Sequence, residues 1–316
     1  NLHINEEEKD FQGLFGCTYN ENALIKNIQL SDSYIIGQNH IGGIVGNNQA
    51  NITGDTHNSI IVNNSTIIGN EQVGGIIGSN NNDIQIDYCK SIDCCISGKS
   101  DVGGIVGFNR SGNISMCVNK SLVTSYSRIV GGVVGNNRNG HISKSHNSGD
   151  IKNTGFNSGG IAGLNNGSIE YCYNEGEISG LEMVAGIAGS SSFGSIKFTK
   201  NQGKIQGNKF VGGISGHILS ESSKIEFSTN NAHIQGQLYV GGITGFCLNG
   251  IINATSNTAS IDGFDFVGGI VGKSDNGIIS NNFNSNEVNG QNFIGPISGD
   301  SFKNEFSLTN YSSSTN

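Results

Sequence analysis

The sequence predicts an all-β fold, a right-handed parallel β-helix (β-solenoid) of about eleven coils, each with three short strands in about 28 residues. Three observations support this prediction. A glycine-containing phrase recurs along the chain at a nearly constant spacing. The apolar stretches are only a few residues long and rich in Ile and Val, as in strands. Clusters of Gly, Asn and Ser, which form turns, separate these stretches.

The repeated phrase is close to Val-Gly-Gly-Ile-Val-Gly, and its glycines mark tight turns or places where neighbouring coils leave no room for a Cβ atom. Eight copies contain a glycine pair: Gly42/Gly43, Gly74/Gly75, Gly103/Gly104, Gly131/Gly132, Gly159/Gly160, Gly212/Gly213, Gly241/Gly242 and Gly268/Gly269. Three degenerate copies complete the series: Gln12/Gly13, Ala185/Gly186 and Gly295/Pro296. Successive copies start 26 to 32 residues apart, and a period this steady predicts a repeat architecture.

Two further phrases follow in each unit, one of the form Ile-x-x-small-x-Asn and one of the form x-Ile-x-Gly, as around Ile151 and Ile178. Coils built from three such stretches stack with parallel pairing at about 4.8 Å per coil, so the rod is roughly 50 Å long. Four-stranded propeller blades are the alternative, but they need about 40 residues per repeat. The length of the repeat therefore favours the solenoid.

The asparagines that end the second phrase predict a ladder of side-chain amides along the axis, each bonded to the next. They are Asn119, Asn147, Asn174, Asn201, Asn230, Asn257 and Asn284. Small residues recur just before the place of these asparagines in successive units, and we expect them to point inward, where only a small side chain fits. This set comprises Cys89, Cys117, Ser145, Cys172, Thr199, Ser228 and Thr255.

We divide the chain into residues 1–10, an N-terminal cap or join to another domain, residues 11–300, the solenoid, and residues 301–316, a polar C-terminal tail or join. Pro296 interrupts the last glycine phrase, as suits a final, unpaired edge. The first residues do not form a signal-peptide pattern, and we expect the chain to be a fragment of a longer protein.

The formal net charge is −8 with no basic run, which argues against a nucleic-acid partner. No apolar run approaches the roughly eighteen residues of a membrane-spanning helix. We expect no cofactor and no metal. A calcium-binding roll needs an Asp in each unit, but Asn47, Asn80 and Asn109 occupy that place. No His-Glu-x-x-His pair is present among the seven histidines.

A catalytic alternative comes from parallel β-helices that cleave acidic polysaccharides with carboxylates and Lys or Arg clustered on one face. The candidates are Asp83, Asp87 and Asp93 with Lys90 nearby, or Asp262 with Asp265. Such pairs can act as acid and base, but random surface spacing also produces them. We therefore expect a protein without catalytic residues.

The seven cysteines include no Cys-x-x-Cys pair, so neither zinc binding nor thioredoxin-like chemistry is indicated. Cys89 and Cys117 occupy equivalent places in consecutive coils, and this spacing permits a disulfide. Free thiols buried in a column of small residues are the alternative that we favour, since free cysteine packs as a small hydrophobe.

Four aromatic residues precede the glycine phrase in successive coils: Phe210, Tyr239, Phe266 and Phe293. Their regular spacing predicts a stack near one corner of the coils. An outward stack would bind sugar rings or a protein partner. We favour the alternative that the rings point inward and fill the core.

The repeat resembles the GLUG motif, which is named for its Gly-Leu-any-Gly core. Residues 13–16 read Gly-Leu-Phe-Gly, and most copies carry Ile for that Leu, as residues 102–107 do. Residues 109–115 also resemble the continuation of the motif, and the resemblance spans residues 11–300. It implies an extracellular or cell-surface protein, because such repeats occur in adhesin-like proteins and in non-catalytic parts of immunoglobulin A peptidases. It transfers no catalytic residue.

The sequence thus favours a non-catalytic surface scaffold or adhesin-like stalk, whose partners would be a protein or glycan at a surface or neighbouring subunits of a filament. A carbohydrate-active β-helix, either a polysaccharide lyase or a hydrolase, is the alternative from another class. A glycan-binding module without catalysis lies between these two and requires an exposed aromatic column.

Overall fold

The computed structural model describes residues 1–306 and 310–313 and forms a stack of short strands wound around one axis. Each strand pairs in parallel with its equivalents in the neighbouring turns; for example, Val73 lies opposite Ile41 on one side and Val102 on the other. The predicted all-β parallel solenoid of about eleven turns is confirmed. Its right-handed sense stays a prediction.

Four sheets run along the axis, and we number them in the order in which one turn passes through them. Sheet 1 has 10 strands: Asn39–Gly42, Glu71–Gly74, Ser100–Gly103, Val130–Gly131, Phe156–Gly159, Glu182–Ala185, Lys209–Gly212, Leu238–Gly241, Asp265–Gly268 and Asn292–Gly295. Sheet 2 has 11 strands: Phe15–Cys17, Val45–Asn48, Ile77–Asn80, Val106–Asn109, Val134–Asn137, Ala162–Asn165, Ala188–Ser191, Ser215–Ile218, Thr244–Leu248, Val271–Asp275 and Ser298–Phe302.

Sheet 3 has 11 strands: Leu24–Ile25, Asn51–Thr53, Gln85–Asp87, Asn113–Ser115, His141–Ser143, Ser168–Glu170, Ser195–Lys197, Lys224–Glu226, Ile251–Asn253, Ile278–Ser280 and Glu305–Phe306. Sheet 4 has 20 strands: His3–Asn5, Gln29–Ser31, Tyr34–Ile36, Ile60–Asn63, Thr66–Ile68, Cys89–Gly98, Val118–Ser125, His146–Asn147, Ile151–Asn153, Tyr173–Asn174, Ile178–Ser179, Lys200–Asn201, Ile205–Gln206, Thr229–Asn230, Ile234–Gln235, Ser256–Asn257, Ile261–Asp262, Phe283–Asn284, Val288–Asn289 and Tyr311–Ser312.

Most turns therefore contain five short strands, a finer division than the three predicted stretches. The glycine phrase bends between sheets 1 and 2, because the residues after the first glycine leave the strand. The second phrase bends between sheets 3 and 4 at a residue with positive φ, such as Tyr171 (φ 55°). The third phrase forms the second strand of each turn in sheet 4. In two turns both sheet-4 strands merge into one, Cys89–Gly98 and Val118–Ser125.

A single hydrophobic cluster of stacked Ile and Val residues fills the interior from end to end. Ile142, Ile169 and Ile196, for instance, are equivalent residues of sheet 3 and are all 0% exposed. The small residues that precede the asparagines, from Cys89 to Thr255, are at most 2% exposed, so their predicted inward direction is confirmed.

The first glycine of each pair ends a sheet-1 strand where the backbone folds back on itself. A Cβ atom at Gly103 would lie 2.0 Å from the carbonyl oxygen of Val106, which is shorter than any real carbon–oxygen contact. No described glycine has a positive φ, so close approach, and not an unusual backbone conformation, requires glycine at this bend.

The second glycine of each pair lies in the bend between sheets 1 and 2, outside the strands. A Cβ atom at any of these positions would lie 2.0–2.5 Å from a backbone carbonyl oxygen of the following turn, as one at Gly104 would from that of Gly132. Contact between successive turns therefore requires glycine at this place. The positions are Gly43, Gly75, Gly104, Gly132, Gly160, Gly213, Gly242 and Gly269.

The seven asparagines from Asn119 to Asn284 form an unbroken chain of side-chain hydrogen bonds inside sheet 4. Each Nδ2 donates to the Oδ1 of the next asparagine at 2.7–2.9 Å. The same Nδ2 also donates to the backbone carbonyl two residues on, as Asn174 does to Gly176 at 2.9 Å. All seven residues are 0% exposed. We call this chain of amides the asparagine ladder.

Short strands near both ends of the described chain join the stack. Residues His3–Asn5 pair with Tyr34–Ile36, and Tyr311–Ser312 pair with Phe283–Asn284. Parts of the predicted C-terminal tail, residues 307–309 and 314–316, lie outside the described residues. That the ends act as caps or joins stays a prediction. Within the described ranges, no helix is long and apolar enough to cross a membrane.

Candidate binding surfaces

The four predicted aromatic residues form a continuous stack at the corner between sheets 1 and 2. Ring centroids lie 5.1 Å apart for Phe210 and Tyr239, 5.0 Å for Tyr239 and Phe266, and 4.5 Å for Phe266 and Phe293. Each is the second residue of its sheet-1 strand and has a φ of 51–56°. We call these four residues the corner stack.

The expectation that these rings fill the core is wrong, because the corner stack lies outside the coil. The next residues in the chain, Val211, Val240 and Val267, are the ones that point inward and are 0% exposed. Three rings of the stack are half-buried and Phe293 is 57% exposed. The valine already fills the interior at this place, and the packed core leaves no room inside for the neighbouring aromatic ring.

Outward residues of sheet 2 cover part of the corner stack. The His217 ring stacks on Phe210 at 5.1 Å, and the Phe246 ring packs against both at a tilt of 50–55°. The His217 Nε2 atom is buried and has no hydrogen-bond partner among the described residues. Burial, with a smaller contribution from the Lys209 charge, lowers the pKa of His217 to about 4. The imidazole is therefore neutral at pH 7 and acts as one more aromatic ring.

Sequence analysis missed a second aromatic column, which lies at the corner between sheets 3 and 4. Tyr171, Phe198 and Phe227 stack with centroids 5.0 Å apart and are 55%, 44% and 50% exposed. Each directly precedes one of the small inward residues, and this position is the sequence signal that identifies the column. The ring planes are within 8° of parallel, so neighbouring rings cover each other's faces and present mainly their edges to solvent.

The predicted carboxylate cluster around Asp87 is divided among different segments. Asp83 lies in the turn before a sheet-3 strand, Asp87 ends that strand, and Asp93 lies at a register shift in sheet 4. Asp87 accepts hydrogen bonds from Gln85 and Ser115, and Asp83 accepts one from Asn113 at 3.3 Å. Lys90 lies in the sheet-4 strand that carries Asp93.

The second carboxylate pair, Asp262 and Asp265, takes part in contacts between turns. Asp262 accepts a hydrogen bond from Asn289 at 2.9 Å and lies 3.5 Å from the His233 ring. Asp265 accepts one from Asn292 at 2.6 Å. Among the residues that the structure describes, no group of three or more His, Cys, Asp or Glu side chains is placed to hold a metal ion.

One titratable residue that sequence reasoning did not select is strongly perturbed. Asp101 occupies the position of the corner stack in an earlier turn, with a φ of 53°, and its side chain bonds Asn136. Burial raises the pKa of its carboxyl to about 6. Burial is the largest cause of this shift, and the hydrogen bond from Asn136 opposes it.

All seven cysteines are free thiols, and the three in the column of small residues, Cys89, Cys117 and Cys172, are buried, as in the alternative that we favoured. Cys89 and Cys117 are both buried, and a hydrogen bond with the Cys117 thiol, together with burial, raises the pKa of Cys89 well above its usual value. Burial also raises the pKa of Cys172 to about 12. The thiols of Cys89 and Cys172 are therefore protonated at neutral pH and pack as small apolar groups.

Comparison with protein-family models, with curated proteins and with solved structures found no match for this chain. The chain is thus a β-solenoid repeat scaffold on the evidence of its own periodicity and structure.

Proposed function

We propose that this chain is a non-catalytic scaffold located outside the cell or on its surface, an adhesin-like stalk built from stacked GLUG-type repeats. The continuity of the side-chain contacts along the axis carries this proposal. The asparagine ladder alone links seven successive turns by buried hydrogen bonds. Bonds repeated at every turn suit a rod that holds its shape while it displays a partner-binding surface.

The carboxylates considered for catalysis also support a scaffold. Asp83, Asp87, Asp262 and Asp265 all accept hydrogen bonds from residues of the following turn. A carboxylate that accepts a hydrogen bond from the next turn has fewer lone pairs available to take up a proton from a substrate. The resemblance of the repeat to GLUG motifs supports the extracellular setting, because proteins with such repeats are secreted or attached to the cell surface.

Incubation with polysaccharides tests the absence of catalysis. The purified chain is mixed with neutral and acidic polysaccharides, and new chain ends are measured by reducing-end and unsaturated-uronate assays. We expect no increase over a protein-free blank. New chain ends that are lost in Asp83→Asn/Asp87→Asn or in Asp262→Asn/Asp265→Asn would instead establish the enzyme alternative. A known polysaccharide lyase serves as the positive control.

A further inference from the structure

A shallow groove runs parallel to the axis over the second strands of sheet 4. Two cavities of about 400 Å³ and about 370 Å³ form it, and they share Lys152 and Ser179, so they are continuous. We call it the sheet-4 groove. Its floor consists of outward residues from six successive turns: Ser97, Thr124, Lys152, Ser179, Gln206 and Gln235. Five steps of about 4.8 Å give a length of about 24 Å.

The floor carries hydrogen-bonding groups that are not engaged within the protein. The exposed side-chain amides of Gln206 and Gln235 make no hydrogen bond to another described residue, and an amide both donates and accepts. The Ser179 and Thr124 hydroxyls donate to the carbonyls of Ile151 and Ile96 at 3.4 and 3.3 Å, which leaves their oxygens free to accept. The groove thus offers donors and acceptors at successive turns.

The charges that line the groove balance each other. The lining contains two carboxylates and two ammonium groups: Asp150, Glu177, Lys152 and Lys204. The Glu177 carboxylate lies 3.9 Å from the Lys204 ammonium group. A polyanion would require an excess of cationic groups, because charges on a surface must complement those of the partner. The lining therefore favours a ligand without net charge.

An extended peptide fits this face less well than a glycan. Peptides that add to a sheet use free backbone groups at an edge. Here the backbone is already bonded between turns; for example, Ile178 N–H donates to the Lys204 carbonyl at 2.9 Å, and Ile205 N–H to the His233 carbonyl at 3.1 Å. Recognition must come from side chains, and amides and hydroxyls match the hydroxyl groups of sugars.

We propose that the sheet-4 groove binds a linear neutral glycan, a chain of sugars without carboxylate, phosphate or sulfate groups, lying parallel to the solenoid axis. This site is additional to the scaffold function, since a rod needs no ligand to keep its shape. The failure of one proposal would leave the other intact, because polysaccharide cleavage and glycan binding are measured in separate experiments.

Fluorescence anisotropy with labelled hexasaccharides tests the proposal. The panel contains neutral chains of glucose, mannose, galactose and xylose, an acidic galacturonate chain, and an extended peptide of similar length. We expect at least one neutral hexasaccharide to bind and the acidic chain not to bind. Replacement of both floor amides, Gln206→Ala/Gln235→Ala, should weaken that binding about tenfold, since two hydrogen bonds are lost.

The matched control is Gln202→Ala/Gln237→Ala, which removes two exposed glutamines from the same turns but outside the groove. Its affinity should remain that of the parent protein, and thermal unfolding should show that both variants are folded. The proposal is overturned if no neutral chain binds at millimolar concentration, if only the acidic chain or the peptide binds, or if the Gln206/Gln235 variant binds as well as the control.

Discussion

Asparagine suits the interior ladder because its side chain has two N–H donors and an acceptor oxygen on a short stem. One donor reaches the backbone carbonyl two residues on and the other reaches the next turn, as Asn174 does with Gly176 and Asn201. Aspartate cannot donate, and a hydroxyl has only one hydrogen. A fully bonded polar chain is therefore compatible with a site that is 0% exposed.

Replacement of one ladder residue should destabilise the whole rod. Asn174→Ala removes the acceptor of the Asn147 Nδ2 group and the donor to the Gly176 carbonyl. The Asn201 Oδ1 atom also loses a donor and keeps only the bond from the Gly203 N–H at 3.3 Å. Since each unsatisfied buried group costs about 1–3 kcal/mol, the free energy of unfolding should fall by about 2–4 kcal/mol. Urea unfolding followed by circular dichroism measures this change.

The control for this variant is Gln202→Ala, an exposed residue on the outer surface of the next turn. It should change the free energy of unfolding by less than about 0.5 kcal/mol, as surface substitutions usually do. Equal urea midpoints for Asn174→Ala and this control would show that the ladder contributes no stability.

At the scale of the strand, the sequence predicted which residues repeat but not every direction in which they point. The asparagine column could be found because a buried polar residue at a fixed place in every turn must bond its own copies. The direction of the corner stack was missed, although Val211, which follows Phe210, marks the inward side. The sheet-4 groove could not be found, because its residues share outward position and not residue type.

His217, whose ring packs on Phe210 of the corner stack, should make the stability of the fold depend on pH. Its folded pKa of about 4 lies below the usual value of about 6.5, so between these values the unfolded chain takes up a proton that the folded chain does not. Stability from this residue is complete above about pH 6.5 and is lost as the pH falls towards 4. At pH 4.5 the loss should reach about 2–3 kcal/mol.

His217→Phe keeps a ring between Phe210 and Phe246 but cannot be protonated. The variant should therefore lose about 2–3 kcal/mol less than the parent when the pH is lowered from 7.5 to 4.5. Asp101 has a raised pKa and the opposite effect on stability, but both proteins contain it, so its contribution cancels. Urea midpoints at the two pH values measure the difference.

The control is His57→Phe, a substitution in an exposed turn, which should lose as much stability as the parent protein. Equal losses of stability in the parent and both variants would show that His217 is not the source of the pH dependence.

At the scale of the whole molecule, the solenoid is a sum of nearly equal turns, each in contact mainly with its neighbours. The same asparagine and inward isoleucine positions recur in successive turns from Asn119 to Asn284, so one of these turns can take the place of another. Ring contacts follow the same rule, since Tyr171, Phe198 and Phe227 stack in sequence. Stability should then depend on keeping whole turns in register and not on a particular number of turns.

Deletion of residues 174–200, which is one complete turn, should therefore leave a folded rod. The deletion joins Tyr173 to Asn201, so Asn147 meets Asn201 in the ladder and Tyr171 meets Phe227 in the aromatic column. Small-angle scattering should show a rod shorter by about 4.8 Å, and thermal unfolding should show one cooperative transition.

The control is deletion of residues 174–186, which removes about half a turn and brings sheet-2 residues to the place of sheet-4 residues. This second variant should not fold cooperatively, because the inward residues of the two sheets would no longer align. If both deletions fold equally well, or if neither folds, stability does not arise turn by turn and the nearest-neighbour description fails.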